Sequence, residues 1–595
     1  MDGQCRPKGA SELTTARVAT ASRLARAGLV VAALAGWVVM SPPAMSETSR
    51  IDVEPSSFAG NYLAGRMAGR LNDAAAAARF YREALRDDPT NLDLLDRSFA
   101  LSLVAGDYPT AFAAAQSLSE LDPEHRLANL ALAVDALRSR QYAEARRHLE
   151  RAGDGPLAEL TARLLLAWTA AGSGDTKGAL ATIQSLSGPD WYEVFKPYHS
   201  GLIAALAGDD TTAGQLFERA YATDQKAIRV VQAWARHLAR TGRGAEAQEV
   251  LRGFSDVVPN HPIMTAALAE IAAGRVPAPV VTTAQEGAAE VLYGIGSALG
   301  SENGEEYSAI YLRLALHLAP GQPLAILSLA DYFEKVGDRE SAVNVYGSVP
   351  ETSPLRVNAD IHRALNLDDL DRTEEAIALL EQVIEANPDE TEAIVALGNI
   401  LRGREQFAKA AEVYSRAIAK ITTPQPRDWA LYYFRGMCYE RAKRWPLAEI
   451  DLKAALALYP DQPHVLNYLG YSWVDQGVHL DEALDMISRA VELRPNDGYI
   501  VDSLGWAYYK LGRYEDAVRE LERAVELKPN DPIINDHLGD AYWKAGRKLE
   551  ARFQWTHARN LDPEPEELAK ILKKLEHGLA DQPGRAAVEL RRNDG

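Results

Sequence analysis

The stretch "DSLGWAYYKLG", residues 502–512, decides the fold because near-copies of it recur at a fixed distance on both sides. The preceding copy, "NYLGYSWVDQG", ends at Gly477, and the following copy, "DHLGDAYWKAG", ends at Gly546. Beyond each copy an alanine recurs every 34 residues, at Ala483, Ala517 and Ala551. An internal repeat of this length takes precedence over other sequence signals, because it fixes the architecture of the whole chain.

The same repeat extends over almost the whole chain. Alanines in the first half keep the 34-residue step without a gap, and a second series resumes it further on: Ala77, Ala111, Ala145, Ala179, Ala213 and Ala247, then Ala342, Ala376 and Ala410. Prolines keep the same step at Pro495, Pro529 and Pro563. We count fourteen full units, six before about residue 262 and eight after about residue 289.

Each unit has the pattern of two amphipathic helices. In residues 498–531, Leu504 and Tyr508 are four apart and therefore share one face of the first helix. Gly505 lets the partner helix come close, and Gly512 ends the first helix in a tight turn. The second helix, "YEDAVRELERAVELKP", has small or apolar residues on its inner side and stops where a proline removes the amide donor.

This pattern of Leu-Gly, Tyr, Ala, an apolar residue, Ala and Pro resembles that of the tetratricopeptide repeat family. The resemblance covers roughly residues 58–565. It implies an all-α fold, a right-handed superhelical solenoid of helix-turn-helix repeats. A single hairpin cannot bury its apolar face alone, so stacked neighbours supply the core.

The resemblance also implies a peptide-binding groove. Tyr509 lies one residue beyond Tyr508 and so about 100° further round the helix, which in this family places it on the concave side with Trp506. Aromatic rings with nearby charges suit peptide recognition. The alternative is that these side chains pack on their neighbours in the array. The candidate binding residues are Asn467, Tyr471, Asp475, Asp502, Trp506, Tyr509, Lys510, Asp536, Asp540, Trp543 and Lys544.

The composition is that of an ordinary globular protein, with 47% hydrophobic and 25% charged residues in a chain of 595. The formal net charge of −19 disfavours binding to phosphate backbones, so we expect no nucleic-acid partner. The two cysteines, Cys5 and Cys438, cannot form a zinc site with scattered histidines, and Cys438 is expected to be a small core residue.

The first 46 residues resemble a secretory signal peptide or an N-terminal anchor. A basic stretch ending at Arg26 precedes the uncharged run "AGLVVAALAGWVVM", and a small-x-small site follows at residues 44–46. This favours export to the periplasm or cell envelope of a Gram-negative bacterium, and a cytoplasmic location if the leader is not a signal. Trp37 stands where a lipoprotein signal would carry cysteine, so lipid cannot be attached there.

Breaks in the repeat predict the domain organisation. The segment "RVPAPVVTTAQEG" contains two prolines and no helical period, which predicts a hinge, or alternatively an irregular loop that still packs against the array. We expect a leader at 1–46, a linker at 47–57, an N-terminal array at 58–274, a hinge at 275–287, a C-terminal array at 288–565, a capping helix at 566–580 and a disordered tail at 581–595.

The candidate catalytic and metal-binding patterns lack the sequence context that their chemistry requires. The glycine-rich "GIGSALG", residues 294–300, falls inside a repeat helix rather than after a strand. His464, His479 and His537 are expected in separate turns, without carboxylates at a metal-binding spacing. We therefore expect no cofactor, no metal and no enzymatic activity.

The C-terminal run shows a closer resemblance. The pieces "LGY", "LDEA", "DSLGW", "HLGDAYW" and "GRKLEA" are similar to those of bacterial envelope repeat proteins, including the lipoprotein partner of the carboxyl-terminal processing protease. That resemblance implies a scaffold that assembles the protease and presents cell-wall hydrolases to it. The alternatives are a scaffold for envelope assembly or polysaccharide export, and a cytoplasmic co-chaperone-like peptide receptor.

Under each alternative the expected partners are proteins or extended peptides in the concave groove. We expect no small-molecule substrate, and membrane association only through an uncleaved N-terminal segment.

Overall fold

The computed structural model describes residues 57–153, 155–300 and 305–579. The expected leader, nearly all of the linker and the expected tail therefore lie outside the described residues. None of the described helices is both long enough and apolar enough to cross a bilayer.

The chain divides into two compact units, which we call the N-terminal unit, Ile51–Pro388, and the C-terminal unit, Asp389–Gly595. The described residues form 30 α-helices and no strands, which confirms the predicted all-α repeat fold. The helices of the N-terminal unit are α1 Phe58–Arg70, α2 Ala74–Ala84, α3 Leu92–Ala105, α4 Tyr108–Leu121, α5 Arg126–Arg138, α6 Tyr142–Ala152, α7 Pro156–Gly172, α8 Thr176–Gln184, α9 Tyr192–Leu206, α10 Asp210–Thr223, α11 Ile228–Arg240, α12 Gly244–Val257, α13 Pro262–Ala272, α14 Ala284–Leu299, α15 Glu305–Leu318, α16 Pro323–Val336, α17 Arg339–Gly347, α18 Arg356–Asp369 and α19 Thr373–Ala386.

The C-terminal unit continues the same architecture. Its helices are α20 Thr391–Gly403, α21 Phe407–Ala419, α22 Trp429–Arg441, α23 Trp445–Leu458, α24 Pro463–Gln476, α25 Leu480–Leu493, α26 Gly498–Lys510, α27 Tyr514–Leu527, α28 Pro532–Lys544, α29 Lys548–Arg559 and α30 Pro565–His577, with a short 3-10 turn at Pro426–Asp428 before α22. Six helix pairs precede the single helix α13, eight pairs follow it, and α30 closes the stack, as the repeat count predicts.

The alanine series marks the crossing point of the two helices in each pair. Every alanine of the 34-residue series is completely buried, at 0% exposure. The glycine of the Leu-Gly pair lies opposite, and a Cβ added to Gly505 would come within 2.5 Å of Leu521 Cγ. Because both helix backbones approach closely here, only small side chains fit at these two positions.

The segment expected to be a hinge does not separate the compact units. Helix α14 begins at Ala284, capped by the Thr283 side chain, so four of the expected hinge residues are helical. The carbonyls of Pro277 and Ala278 accept hydrogen bonds from arginines of α11, and Val281 is buried. The segment is therefore the irregular packed loop of the alternative interpretation, and the boundary between the units falls at Pro388 instead.

Helices α14 and α15 do not simply extend the stack. They pack against α3, α5, α7 and α9, the first helices of four earlier pairs. Arg313 Nε donates to the carbonyl of Val104 at 2.8 Å, and Gln285 donates to the carbonyl of Leu137 at 3.1 Å. The face of the N-terminal unit formed by these first helices is thus covered by helices of its own chain.

Candidate peptide-binding site

The first helix of many pairs ends at a glycine with positive φ, which gives a common reference point along the repeats. Trp168 lies six residues before Gly174, and Trp506 lies six residues before Gly512, so the two tryptophans are equivalent. Trp168 is completely buried because α14 packs on it at Gly287. The equivalent position in the C-terminal unit therefore points to the inner face, where Trp506 is only half-buried.

An aromatic stack lies on this inner face. The Trp506 ring is stacked on Tyr509 with centroids 4.7 Å apart and on His537 of the next first helix with centroids 4.1 Å apart. Tyr509 also meets Tyr514 at 5.7 Å. Burial, followed by the charge of Asp540, raises the pKa of Tyr509, so its hydroxyl stays neutral and can donate a hydrogen bond.

A buried ion pair joins neighbouring repeats beside the stack. His537 Nδ1 lies 3.0 Å and 3.1 Å from the two carboxylate oxygens of Asp502. Burial alone would lower the pKa of His537, but the charges of Asp502, Asp536 and Asp540 outweigh burial and raise it. The imidazole thus lies between the face of Trp506 and a carboxylate that favours its charged form. The expectation that His537 lies in a turn was wrong, because it is in the middle of α28.

The last repeat contributes two more buried carboxylates. Lys574 of α30 donates to Asp536 Oδ2 at 2.5 Å and to Asp540 Oδ2 at 2.8 Å, and the indole of Trp555 donates to Asp540 Oδ1 at 2.9 Å. Burial and the neighbouring charge of Asp536 raise the pKa of Asp540 to about 6, although Lys574 opposes the shift. The cluster therefore tolerates its buried charges only because a cation sits between them.

The edge of the same surface is accessible to solvent. Asp475 and Lys510 face each other at 3.6 Å with side chains 64% and 34% exposed, and the Lys510 ammonium lies 5.8 Å from the centroid of the Trp506 ring. Tyr471 is half-buried, and burial followed by the charge of Asp502 raises the pKa of its hydroxyl. Asn467, one turn earlier on α24, is also half-buried.

The remaining two candidates lie at the end of the stack. Trp543 packs against Trp555 of α29 with centroids 5.3 Å apart and against the backbone of Gly578 after α30. Lys544 is the last residue of α28 and is partly buried. The structure thus brings nine candidates together along the first helices α24, α26 and α28, whereas Trp543 packs towards α29 and the residues after α30.

Three polar atoms on this surface are enclosed without a hydrogen-bond partner among the described residues: Asn467 Oδ1, Trp506 Nε1 and Asp536 Oδ1. Buried polar atoms in native proteins are nearly always paired, so these three atoms leave the hydrogen bonding of the surface incomplete. Within residues 57–153, 155–300 and 305–579 no cluster of three or more side chains could hold a metal ion.

Sequence reasoning missed His537 and Lys574. Both follow the repeat spacing, since His537 lies 35 residues after Asp502 and Lys574 lies 34 residues after Asp540. A search for opposite charges one repeat apart would have found both pairs. Tertiary stacking makes such residues neighbours, because first helices of successive repeats lie side by side.

Comparison with known proteins agrees with the repeat architecture. The family model described as "TPR repeat" matches residues 505–546, and that described as "Tetratricopeptide repeat" matches residues 361–425 and 395–463. The chain contains tetratricopeptide repeats in these segments.

Its curated relatives match over limited stretches. A TPR repeat-containing protein of Pseudomonas aeruginosa is 31% identical over 151 residues, 25% of each chain. A homologue of the lipoprotein NlpI from Haemophilus influenzae is 36% identical over 92 residues, 15% of this chain and 29% of the relative. The tetratricopeptide repeat chain therefore spans less than a third of the length of these relatives.

Solved repeat structures extend further along the tetratricopeptide repeat protein. The crystal structure of the APC/C hetero-tetramer Cut9–Hcn1 covers 87% of this chain at 16% identity and a TM-score of 0.35. Proteins built from these repeats bind peptides or other proteins.

Proposed function

We propose that the chain is a scaffold that captures an extended polypeptide segment on the surface formed by α24, α26 and α28, which we call the C-terminal groove. The observation that carries this proposal is the half-exposed state of Trp506, at a position where the N-terminal unit buries the equivalent Trp168 completely. In one unit the inner face is filled by helices of the chain itself, and in the other its aromatic side chains remain accessible.

The chemistry of the groove suits a polypeptide. The stacked rings of Trp506 and Tyr509 are already rigid, so binding against them costs little side-chain entropy. Asn467 Oδ1 and Trp506 Nε1 are enclosed and unpaired, so binding uses them after a side-chain movement that lets Oδ1 accept a backbone N–H and Nε1 donate to a backbone carbonyl. An extended chain presents both groups at every residue, which supports a peptide rather than a compact small molecule.

The inner face of the N-terminal unit is the weaker candidate for a partner. Glu290 of α14 is buried there and accepts hydrogen bonds from Tyr198 at 2.9 Å and from Arg229 Nε at 2.9 Å. A partner could enter only by displacing α14 and α15, which would expose these charged groups and a large apolar core.

The test replaces two aromatic side chains of the groove. Tyr471→Ala together with Trp506→Ala should abolish capture of a partner from cell extract, because both half-buried rings lie on the proposed binding surface and aromatic side chains dominate binding energies. The matched control is Trp191→Ala, since Trp191 is 41% exposed but lies on the N-terminal unit. Pull-down measures capture, and far-UV circular dichroism verifies the fold. Wild-type capture by a folded double variant would contradict the proposal.

A more specific proposal concerns the cellular role: the chain is an exported adaptor that delivers substrates to an envelope processing protease. The basic and apolar leader and the partial likeness to a lipoprotein homologue support it. Affinity purification from envelope extracts with mass spectrometry tests it. Recovery of a serine protease with wall hydrolases is expected, whereas recovery of glycan-export components would favour the assembly scaffold. N-terminal sequencing of the mature chain determines whether the leader is removed.

A further inference from the structure

One basic side chain already occupies the end of the C-terminal groove. The Lys574 ammonium lies between Asp536 and Asp540 at 2.5 Å and 2.8 Å, and both aspartates are less than a tenth exposed. Charge-assisted hydrogen bonds of this kind are short and strong, and a buried carboxylate pair requires a cation beside it. The surface of α28 is thus shaped and charged to hold an ammonium or a guanidinium group.

The site offers a hydrogen-bond acceptor that Lys574 does not use. Asp536 Oδ1 is enclosed and has no hydrogen-bond partner in the described part of the chain. The three buried carboxylates of Asp502, Asp536 and Asp540 face two cations, Lys574 and His537, so an excess of negative charge remains. A guanidinium carries more donors than an ammonium and could reach the unpaired oxygen as well.

The helix that supplies Lys574 buries little apolar surface of its own, although Arg552 donates to the carbonyl of Leu575. Ile571 is the single fully buried residue of α30, and Leu572 is 46% exposed. By comparison, α28 buries nine residues. A terminal helix with so little buried apolar surface opens locally at a small fraction of the global unfolding free energy.

We infer that α30 is an internal ligand of the C-terminal groove, and that the partner is a polypeptide segment whose Lys or Arg side chain replaces Lys574 between Asp536 and Asp540. This inference rests on the proposed function and adds the chemistry of the partner. An acidic segment is excluded, because its carboxylate would meet the uncompensated charge of the cluster. The aromatic stack of Trp506 and Tyr509 then packs beside the stem of the entering side chain.

A matched pair of variants in full-length protein tests the displacement. Lys574→Met removes the internal cation, whereas Lys573→Met removes an exposed lysine of the same helix. The probe is an array of twelve-residue peptides that differ only in a central Lys, Arg, Gln or Glu. Wild-type protein should prefer Lys and Arg peptides. Lys574→Met should bind them about tenfold more tightly, because the competing internal state is lost, and Lys573→Met should match wild type.

A second set of variants separates recognition of the basic side chain from displacement of Lys574. Asp536→Asn with Asp540→Asn, placed in the Lys574→Met background, should remove the preference for basic peptides while other peptides remain bound. If Lys574→Met fails to fold, Ile571→Ala loosens α30 and leaves the cation and both carboxylates in place. The same rise in binding of basic peptides is then expected.

The outcomes distinguish this inference from the proposed function. Equal binding of Lys, Gln and Glu peptides would overturn the basic preference and leave peptide capture standing. Unchanged binding of basic peptides by both Lys574→Met and Ile571→Ala would overturn the role of α30. Failure of every variant to bind any peptide, with capture from extract unaffected by the Tyr471 and Trp506 substitutions, would overturn both proposals.

Discussion

Trp168 in the N-terminal unit and Trp506 in the C-terminal unit occupy the same position of the repeat in very different surroundings. Trp168 is fully buried beneath α14 and donates to His199 at 3.3 Å, whereas Trp506 is half-buried and its indole nitrogen has no partner among the described residues. The same position of the repeat therefore holds a core residue in one unit and a half-buried residue in the other.

The neighbouring inner positions show the same contrast. In three of the repeats beneath α14 and α15 these positions are aliphatic or aromatic and buried: Leu130, Val134, Leu164, Tyr198 and Leu202. In the last three repeats of the C-terminal unit they include Asn467, Tyr471, Asp502, Asp536 and Asp540. Apolar inner positions fit an occupant from the same chain, because covering them removes apolar area from water, whereas polar ones fit an exchangeable ligand.

The largest expected effect comes from breaking the ion pair that holds α14 in the N-terminal unit. Glu290→Ala leaves Arg229, Tyr198 and Gln322 without their shared acceptor, and should cost about 3–5 kcal/mol of stability. Denaturant unfolding measures the loss. Glu249→Ala, at an exposed position, should change the midpoint very little. A small effect of Glu290→Ala would mean that the charged group does not hold the helix in place.

Substituting the two equivalent tryptophans tests the comparison directly. Trp168→Ala should cost about 3–5 kcal/mol because it opens a cavity in a closed core. Trp506→Ala should cost about 1–2 kcal/mol, mainly through its stacks on Tyr509 and His537. Equal losses in the unfolding free energy would show that Trp506 is a packing residue, and would remove it from the binding site.

Substitutions in the alanine series should cost the two units similar amounts of stability, because their hairpins pack in the same way. Ala179→Leu and Ala483→Leu each add bulk where two helices cross, and each should cost about 1–3 kcal/mol. Ala75→Leu, at an exposed helical position, is the control. Thermal unfolding measures all three. A large difference between the first two would show that the units do not share one packing scheme.

The smallest expected effect is the contribution of His537, in the C-terminal unit, to the pH dependence of stability. The pKa of His537 is raised in the folded chain, so its contribution is complete below about pH 6.5, the unfolded pKa, and is lost as pH rises through the folded pKa. Asp540, whose pKa is about 6 in the folded chain, also stabilises the fold less as the pH rises, but over a lower pH range. The stabilisation that His537 provides should therefore decline as the pH rises above 6.5.

Substitutions of two histidines test whether His537 causes this pH dependence. His537→Gln should remove the fall above pH 6.5, and His557→Gln, at an exposed position of α29, should retain it. Unfolding midpoints across the pH range provide the measurement. An unchanged pH profile in His537→Gln would place the titrating group elsewhere.

Much of the fold followed from local pattern. The position of Ala517 opposite Gly505, the turn at Gly512 and the stop before Pro529 are properties of one repeat, and one repeat recurs fourteen times. The candidate site was also largely placed by register, since Asp502 and Trp506 lie on the inner face. The partners of these residues were not evident, because His537 and Lys574 come from other repeats.

The sequence by itself determined the helical hairpins, their number and the small residues at their crossings, because these depend on spacings within about 34 residues. The tertiary structure alone decided which inner face is covered. Whether α14 and α15 fold back on α3, α5, α7 and α9 depends on side chains more than a hundred residues apart, such as Tyr108 and Arg313. Contacts at that separation leave no periodic trace in the chain.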